Sequence, residues 1–172
     1  VIDLYALEGI HLISANLKRA VLSGNDRDAR TALLTGSMYG GICLGPVNTA
    51  AVHALSYGLG GKYHVGHGLA NAMLLPLVFE FNASAAEQRH AEVARALGAT
   101  STETTACIAE GIGILRKLAS DCGIPSKLTE IGIEITAIPE LVATAMQVTR
   151  LLNNNPRNVT PEDAATIYRQ LF

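Results

Sequence analysis

Three of the five histidines in this chain, His53, His64 and His67, fall within fifteen residues and are interleaved with Gly58, Gly60, Gly61, Gly66 and Gly68. Imidazole is the commonest protein ligand for first-row transition metals, and in its neutral form it binds zinc or ferrous iron near neutral pH. Glycine frees the intervening backbone to fold back and bring distant rings together. A metal site is therefore the leading reading; the plainer alternative is histidines on polar helix ends beside a glycine turn. By spacing alone, His64 reaches the same metal as readily as His67 three residues later. His11 and His90 fall on amphipathic stretches and read as solvated surface. Gly60, Gly61 and Gly68 read as turn and close-approach positions rather than a phosphate cradle, because no strand precedes them. Asn155-Pro156-Arg157 reads as a loop between helices.

The elements that must carry these side chains are helical. Leu4, Leu7, Ile10, Ile13, Leu17 and Val21 recur at steps of three and four, predicting a helix over 2–22 that Ser23-Gly24-Asn25 ends. Asp26 opens a second helix to about Leu44, in which Gly36, Gly40 and Gly41 permit close packing at some cost in propensity, and Gly45-Pro46 breaks it. Asn48 or Thr49 caps a third helix through His53, which ends in the turn at Gly58–Gly61. A nearly all-apolar fourth helix runs from Gly68 to about Phe81, central in the core and kinked at Pro76. Ser84 to Glu87 has capping-box spacing for a helix ending at Gly98. Further helices span 102–121 and 139–152, and Thr160-Pro161-Glu162-Asp163 starts the last. Only Ile131 to Ile135 alternates, so the expectation is an all-α chain without internal repeats.

With 172 residues, the chain suits a single domain, 1–172, with room for a proper core. Apolar residues make up 49% and charged residues 16%, an imbalance that predicts a face covered by a partner subunit or another domain, and a homo-oligomer is expected. A net charge of -2, scattered Lys and Arg, and no tryptophan argue against nucleic acid and against an anionic membrane. No apolar run is long enough to span a bilayer. Cys43, Cys107 and Cys122 lie far apart, as reduced thiols of a cytoplasmic protein do. The chain starts at Val1 in mid-pattern, which predicts a fragment whose upstream part is absent.

Several of these segments, taken together, have a familiar form. Gly45-Pro46-Val47-Asn48-Thr49-Ala50-Ala51-Val52-His53-Ala54-Leu55, then Leu59-Gly60-Gly61, then His64-Val65-Gly66-His67-Gly68-Leu69-Ala70-Asn71-Ala72 with Leu74-Leu75-Pro76, resemble the metal-binding signature of the iron-containing (group III) alcohol dehydrogenases. The likeness continues through Glu80-Phe81-Asn82, Ala94 to Gly98, Gly123-Ile124-Pro125 and Asn155-Pro156-Arg157 into the segment 160–172. It extends only to the all-helical C-terminal domain of that family, whose fold is related to that of the dehydroquinate synthases.

The resemblance implies one divalent metal, Fe2+ or Zn2+, held by an aspartate and three histidines between this domain and a nucleotide-binding domain. Two of those histidines lie fourteen residues apart in the signature, which selects His53 and His67 and makes His64 a loop or outer residue. The aspartate and the third histidine belong to a segment upstream of Val1. Where many members carry a second histidine four residues after the first ligand, this chain has Tyr57, which would line the substrate or nicotinamide pocket. Gly58 and Gly66 stand where the family often has proline. The implied reaction is hydride transfer between a small alcohol, or its aldehyde or ketone, and NAD(P), most of which the nucleotide-binding domain would hold. A non-redox relative of the dehydroquinate synthase type, or a helical interaction module without activity, are the alternatives.

Overall fold

The computed structural model describes residues 1–172 and contains nine α-helices, three short 3-10 turns and no strand. The helices are α1 (Ile2–Leu22), α2 (Arg27–Val47), α3 (Ala51–Tyr63), α4 (His67–Asn82), α5 (Glu87–Leu97), α6 (Thr104–Asp121), α7 (Ile138–Met146), α8 (Thr149–Leu152) and α9 (Pro161–Arg169). The chain divides into two compact units, Val1–Asn48 with Ala86–Gly123, and Thr49–Ala85 with Ile124–Phe172. No helix is long and apolar enough to cross a membrane.

The first unit contains α1, α2, α5 and α6. Asp26 caps α2 by accepting from Ala29 N–H at 3.0 Å, which satisfies one of the orphan donors of the first turn. Its carboxylate also accepts from the Arg19 guanidinium at 2.7 Å, tying the start of α2 to the end of α1. The helices α1 and α2 cross where a Cβ on Gly36 would lie 2.9 Å from Gly9 O, so Gly36 is a close-approach position. Gly40 and Gly41 are not: a Cβ on either would meet open space. A second close crossing sets Gly111 of α6 against Ala94 of α5. On α5, His90 joins Ala91 and Ala94 in the buried face and its Nδ1–H donates to Ala86 O at 2.9 Å. His90 is therefore a satisfied interior histidine rather than a surface one, whereas His11 is exposed as expected.

The second unit packs α3, α4, α7, α8 and α9 around Leu55, Leu59, Leu74, Leu128, Leu141 and Tyr168, all fully buried. Two of the expected helix breaks do not end their helices. The helix α2 runs through Gly45-Pro46 to Val47, and α3 runs straight through Gly58–Gly61 to Tyr63. A Cβ on Gly58 would lie 2.9 Å from Leu141 Cδ2, so this glycine admits α7 rather than bending the chain. The turn comes instead at His64, whose φ of 55° is left-handed, and Val65 N–H closes it on Leu59 O at 3.1 Å. Helix α5 starts at Glu87 after Ala86 with no side-chain cap, so the box expected at Ser84 does not form. The helix expected over 139–152 is two, α7 and α8, and the alternating Ile131–Ile135 segment forms 3-10 turns around a left-handed Gly132. The last helix starts at Thr160 as expected, and a capping box holds it there: Thr160 Oγ1 accepts from Asp163 N–H, and the Asp163 carboxylate accepts from Thr160 N–H.

Candidate metal centre

His53 lies in the first turn of α3 and His67 is the first residue of α4. The left-handed turn at His64 reverses the chain between them, and their rings come to 5.1 Å between centroids, tilted by 54°. Asn71, one turn beyond His67 on α4, donates its Nδ2 to His67 Nε2 at 3.0 Å and reaches His53 Nε2 at 3.5 Å. Both Nε2 atoms therefore converge on one small volume, filled by the amide of Asn71. Burial is the main cause that lowers the His53 pKa, with the neighbouring His67 adding to it, so the imidazole is held neutral. A neutral imidazole is the form in which histidine binds a transition metal.

The donor set fits a divalent ion as part of a coordination shell. No group of three or more His, Cys, Asp or Glu side chains in the chain is arranged to hold a metal on its own. Asn71 Oδ1 is buried with no hydrogen-bond partner, an expensive condition that marks the spot as polar and incompletely satisfied. Beside it opens a cleft of about 380 Å3 lined by Thr49, Val52, His53, Asn71, Ala72 and Leu75, among others. His64 and Tyr57 take no part in the contact between the two histidines and Asn71: His64 is the exposed turn residue, and Tyr57 stands one helical turn past His53 and is 51% exposed. Asn71 is the residue that reading for metal ligands overlooked. Its signal was available, since a polar side chain four residues after His67 shares its helix face.

The chain matches the description "Fe-containing alcohol dehydrogenase family, C-terminal" over residues 1–172. It belongs to the iron-containing alcohol dehydrogenase family. Among other members, it is 36% identical to the long-chain-alcohol dehydrogenase 1 of Geobacillus thermodenitrificans, covering 99% of this chain and 44% of that protein. It is 31% identical to the NAD-dependent methanol dehydrogenase of Bacillus methanolicus, over 98% of this chain and 45% of the relative. A crystal structure of 1,3-propanediol oxidoreductase superposes on all of this chain and 45% of its own, with a TM-score of 0.95 and 33% identity. The chain thus spans about half the length of the iron-containing alcohol dehydrogenases it matches, and its fold is their all-helical C-terminal domain.

Proposed function

We propose that residues 1–172 form the metal-binding half of an NAD(P)-dependent alcohol dehydrogenase that interconverts small alcohols with their aldehydes or ketones. The observation that carries this reading is the convergence of His53 Nε2 and His67 Nε2 on one point beside an apolar cleft. A divalent ion, Fe2+ or Zn2+, supplies Lewis-acid chemistry in such a site: it lowers the pKa of an alcohol oxygen and polarises a carbonyl in the reverse direction. His53 and His67 would hold that ion through Nε2, with further ligands from outside these residues. Burial keeps His53 unprotonated and ready to donate. The walls contributed by Val52, Ala72 and Leu75 exclude water and accept the carbon chain of the substrate. Tyr57, on the exposed side of α3 one turn from His53, is suited to line the substrate or nicotinamide pocket. The nicotinamide cofactor itself would be bound by a nucleotide-binding domain outside residues 1–172. Exposed Leu34, Met38 and Ile42 on α2 support a face that is covered in the working, homo-oligomeric enzyme.

The test is made on the intact gene product. Elemental analysis should find stoichiometric metal and assays should find NAD(P)H turnover with short primary alcohols, both lost in His53→Ala and in His67→Ala. Metal retained in full by both variants overturns the reading.

A further inference from the structure

Helix α3 starts without a cap of its own: Ala50 occupies the capping position and offers no side-chain acceptor. The first-turn N–H groups of a helix need partners. That of Ala51 finds one 104 residues away, donating to Asn155 Oδ1 at 3.4 Å. The neighbouring Asn154 donates its Nδ2 to Thr49 O at 3.0 Å, so the loop after α8 grips both sides of this helix start. Asn155 also pairs with Asn82, the last residue of α4 and itself buried. Asn82 Nδ2 donates to Asn155 Oδ1 at 2.9 Å, and Asn155 Nδ2 donates back to Asn82 Oδ1 at 2.7 Å and to Arg157 O at 2.7 Å. The Arg157 guanidinium lies 3.9 Å over the Phe81 ring and donates to Phe81 O at 2.8 Å.

The loop 154–157 is therefore a brace. Helices α3 and α4 are joined at one end by the turn at 64–66 and tied a second time where the start of α3 meets the end of α4. A single connector leaves the crossing angle of two rods to packing alone; two ties fix it. His53 and His67 sit on those two rods, and His53 is only two residues beyond the tied Ala51. We propose that Asn155 is a positioning residue for the metal centre, setting through α3 and α4 the separation and tilt of the two imidazoles. The proposal rests on the reading of His53 and His67 as metal ligands. Partners that orient ligands from outside the coordination shell typically change metal affinity by about 10–100-fold when removed.

The experiment uses the intact protein freed of metal by chelator and titrated with Co2+ alone, read by its visible absorption, with metal-free melting followed in parallel. Asn155→Ala should raise the Co2+ dissociation constant about tenfold or more and change the intensity of the Co2+ bands. Arg157→Ala, a change at an exposed position that leaves the Asn155 amide in place, should raise it by less, about threefold, below that range. An Asn155→Ala protein within twofold of wild type with an unaltered spectrum overturns the proposal. Should that variant fail to fold, an unchanged constant and spectrum in Arg157→Ala overturn it instead. Ile133→Ala, a core change in the same unit on neither α3 nor α4, separates positioning from general loosening: if it alters the Co2+ bands as much as Asn155→Ala, the proposal falls. Wild-type protein that takes up no Co2+ refutes the metal assignment itself, an outcome visible before any substitution is made.

Discussion

Gly111 and Gly113 lie two residues apart on α6, and the same substitution should have opposite effects on them. A Cβ on Gly111 would stand 2.6 Å from Ala94 Cβ and 3.0 Å from Ala94 Cα, against a comfortable carbon–carbon separation of about 4 Å. Neither opposing atom can swing aside, because one is backbone and the other is fixed to it, so α5 and α6 must part by about 1 Å. Overpacking of this kind costs about 1–3 kcal/mol, and so hard a contact belongs at the upper end. Replacing a helical glycine with alanine returns about 1 kcal/mol. The net for Gly111→Ala is a loss of about 2 kcal/mol. A Cβ on Gly113 meets nothing within 4 Å, so Gly113→Ala keeps the propensity gain alone and should stabilise by about 0.5–1 kcal/mol. Urea denaturation of the intact protein followed by helical circular dichroism measures both. Shifts of the same sign, or a Gly111→Ala protein as stable as wild type, would refute the placement of α5 on α6.

Asn71→Leu should leave the metal-free protein as stable as wild type or more stable by up to about 1 kcal/mol, since removing the buried, unpartnered Oδ1 offsets the loss of the 3.0 Å bond to His67 and the long 3.5 Å contact to His53; denaturation in excess chelator that shows a clear loss contradicts the assignment. Tyr168→Phe deletes the 2.6 Å bond from the buried hydroxyl to Leu55 O, which ties α9 to α3, and should cost about 1 kcal/mol in the same assay, so a neutral result speaks against that tie. The Glu110 carboxylate accepts from the backbone N–H and hydroxyl groups of Ser101 and Thr100, which hold its pKa below the usual carboxylate range. A lowered folded pKa contributes stability that is present above the ordinary value, near 4, and lost as pH falls through the folded one. Glu110→Gln should thus be less stable than wild type near neutral pH, with the gap closing in acid; a gap independent of pH rules out this charge-based contribution.

Much of the helical layout is legible from side-chain periodicity and local capping, because both act within one or two turns. The start of α9 at Thr160 and the ends of α5 and α6 at Gly98 and Gly123 are set by groups a few residues apart. What could not be read locally involves partners distant in sequence. Glycines 58–61 carry the same local signal whether they bend a chain or admit a neighbour, and only Leu141, from another helix, decides that Gly58 does the second. His90 reads as surface until α5 is docked, and the cap of α3 by Asn155 spans 104 residues. At the candidate centre, spacing alone leaves His64 beside His67 and the family resemblance selects His53 and His67, while Asn71 is legible as a neighbour of His67 on its helix face but not as a neighbour of both rings. The two compact units are each assembled from separate stretches of chain, so no shift of composition marks a boundary between them.

The turn at His64 also limits how this segment can diverge. His53 and His67 are coupled through nearly three turns of α3, a connector of three residues and the first residue of α4. One residue added or removed within that helix turns everything downstream by about 100° and shifts it by about 1.5 Å, carrying His67 out of reach of His53. Descendants of such a sequence can exchange almost any side chain between the two histidines that the core accepts, yet insertion and deletion are closed to them. The loop at 98–103 lies outside this span and puts no such phase constraint on the two histidines, whereas the loop at 153–160 carries Asn154 and Asn155, whose bonds to the start of α3 and the end of α4 fix its length as well.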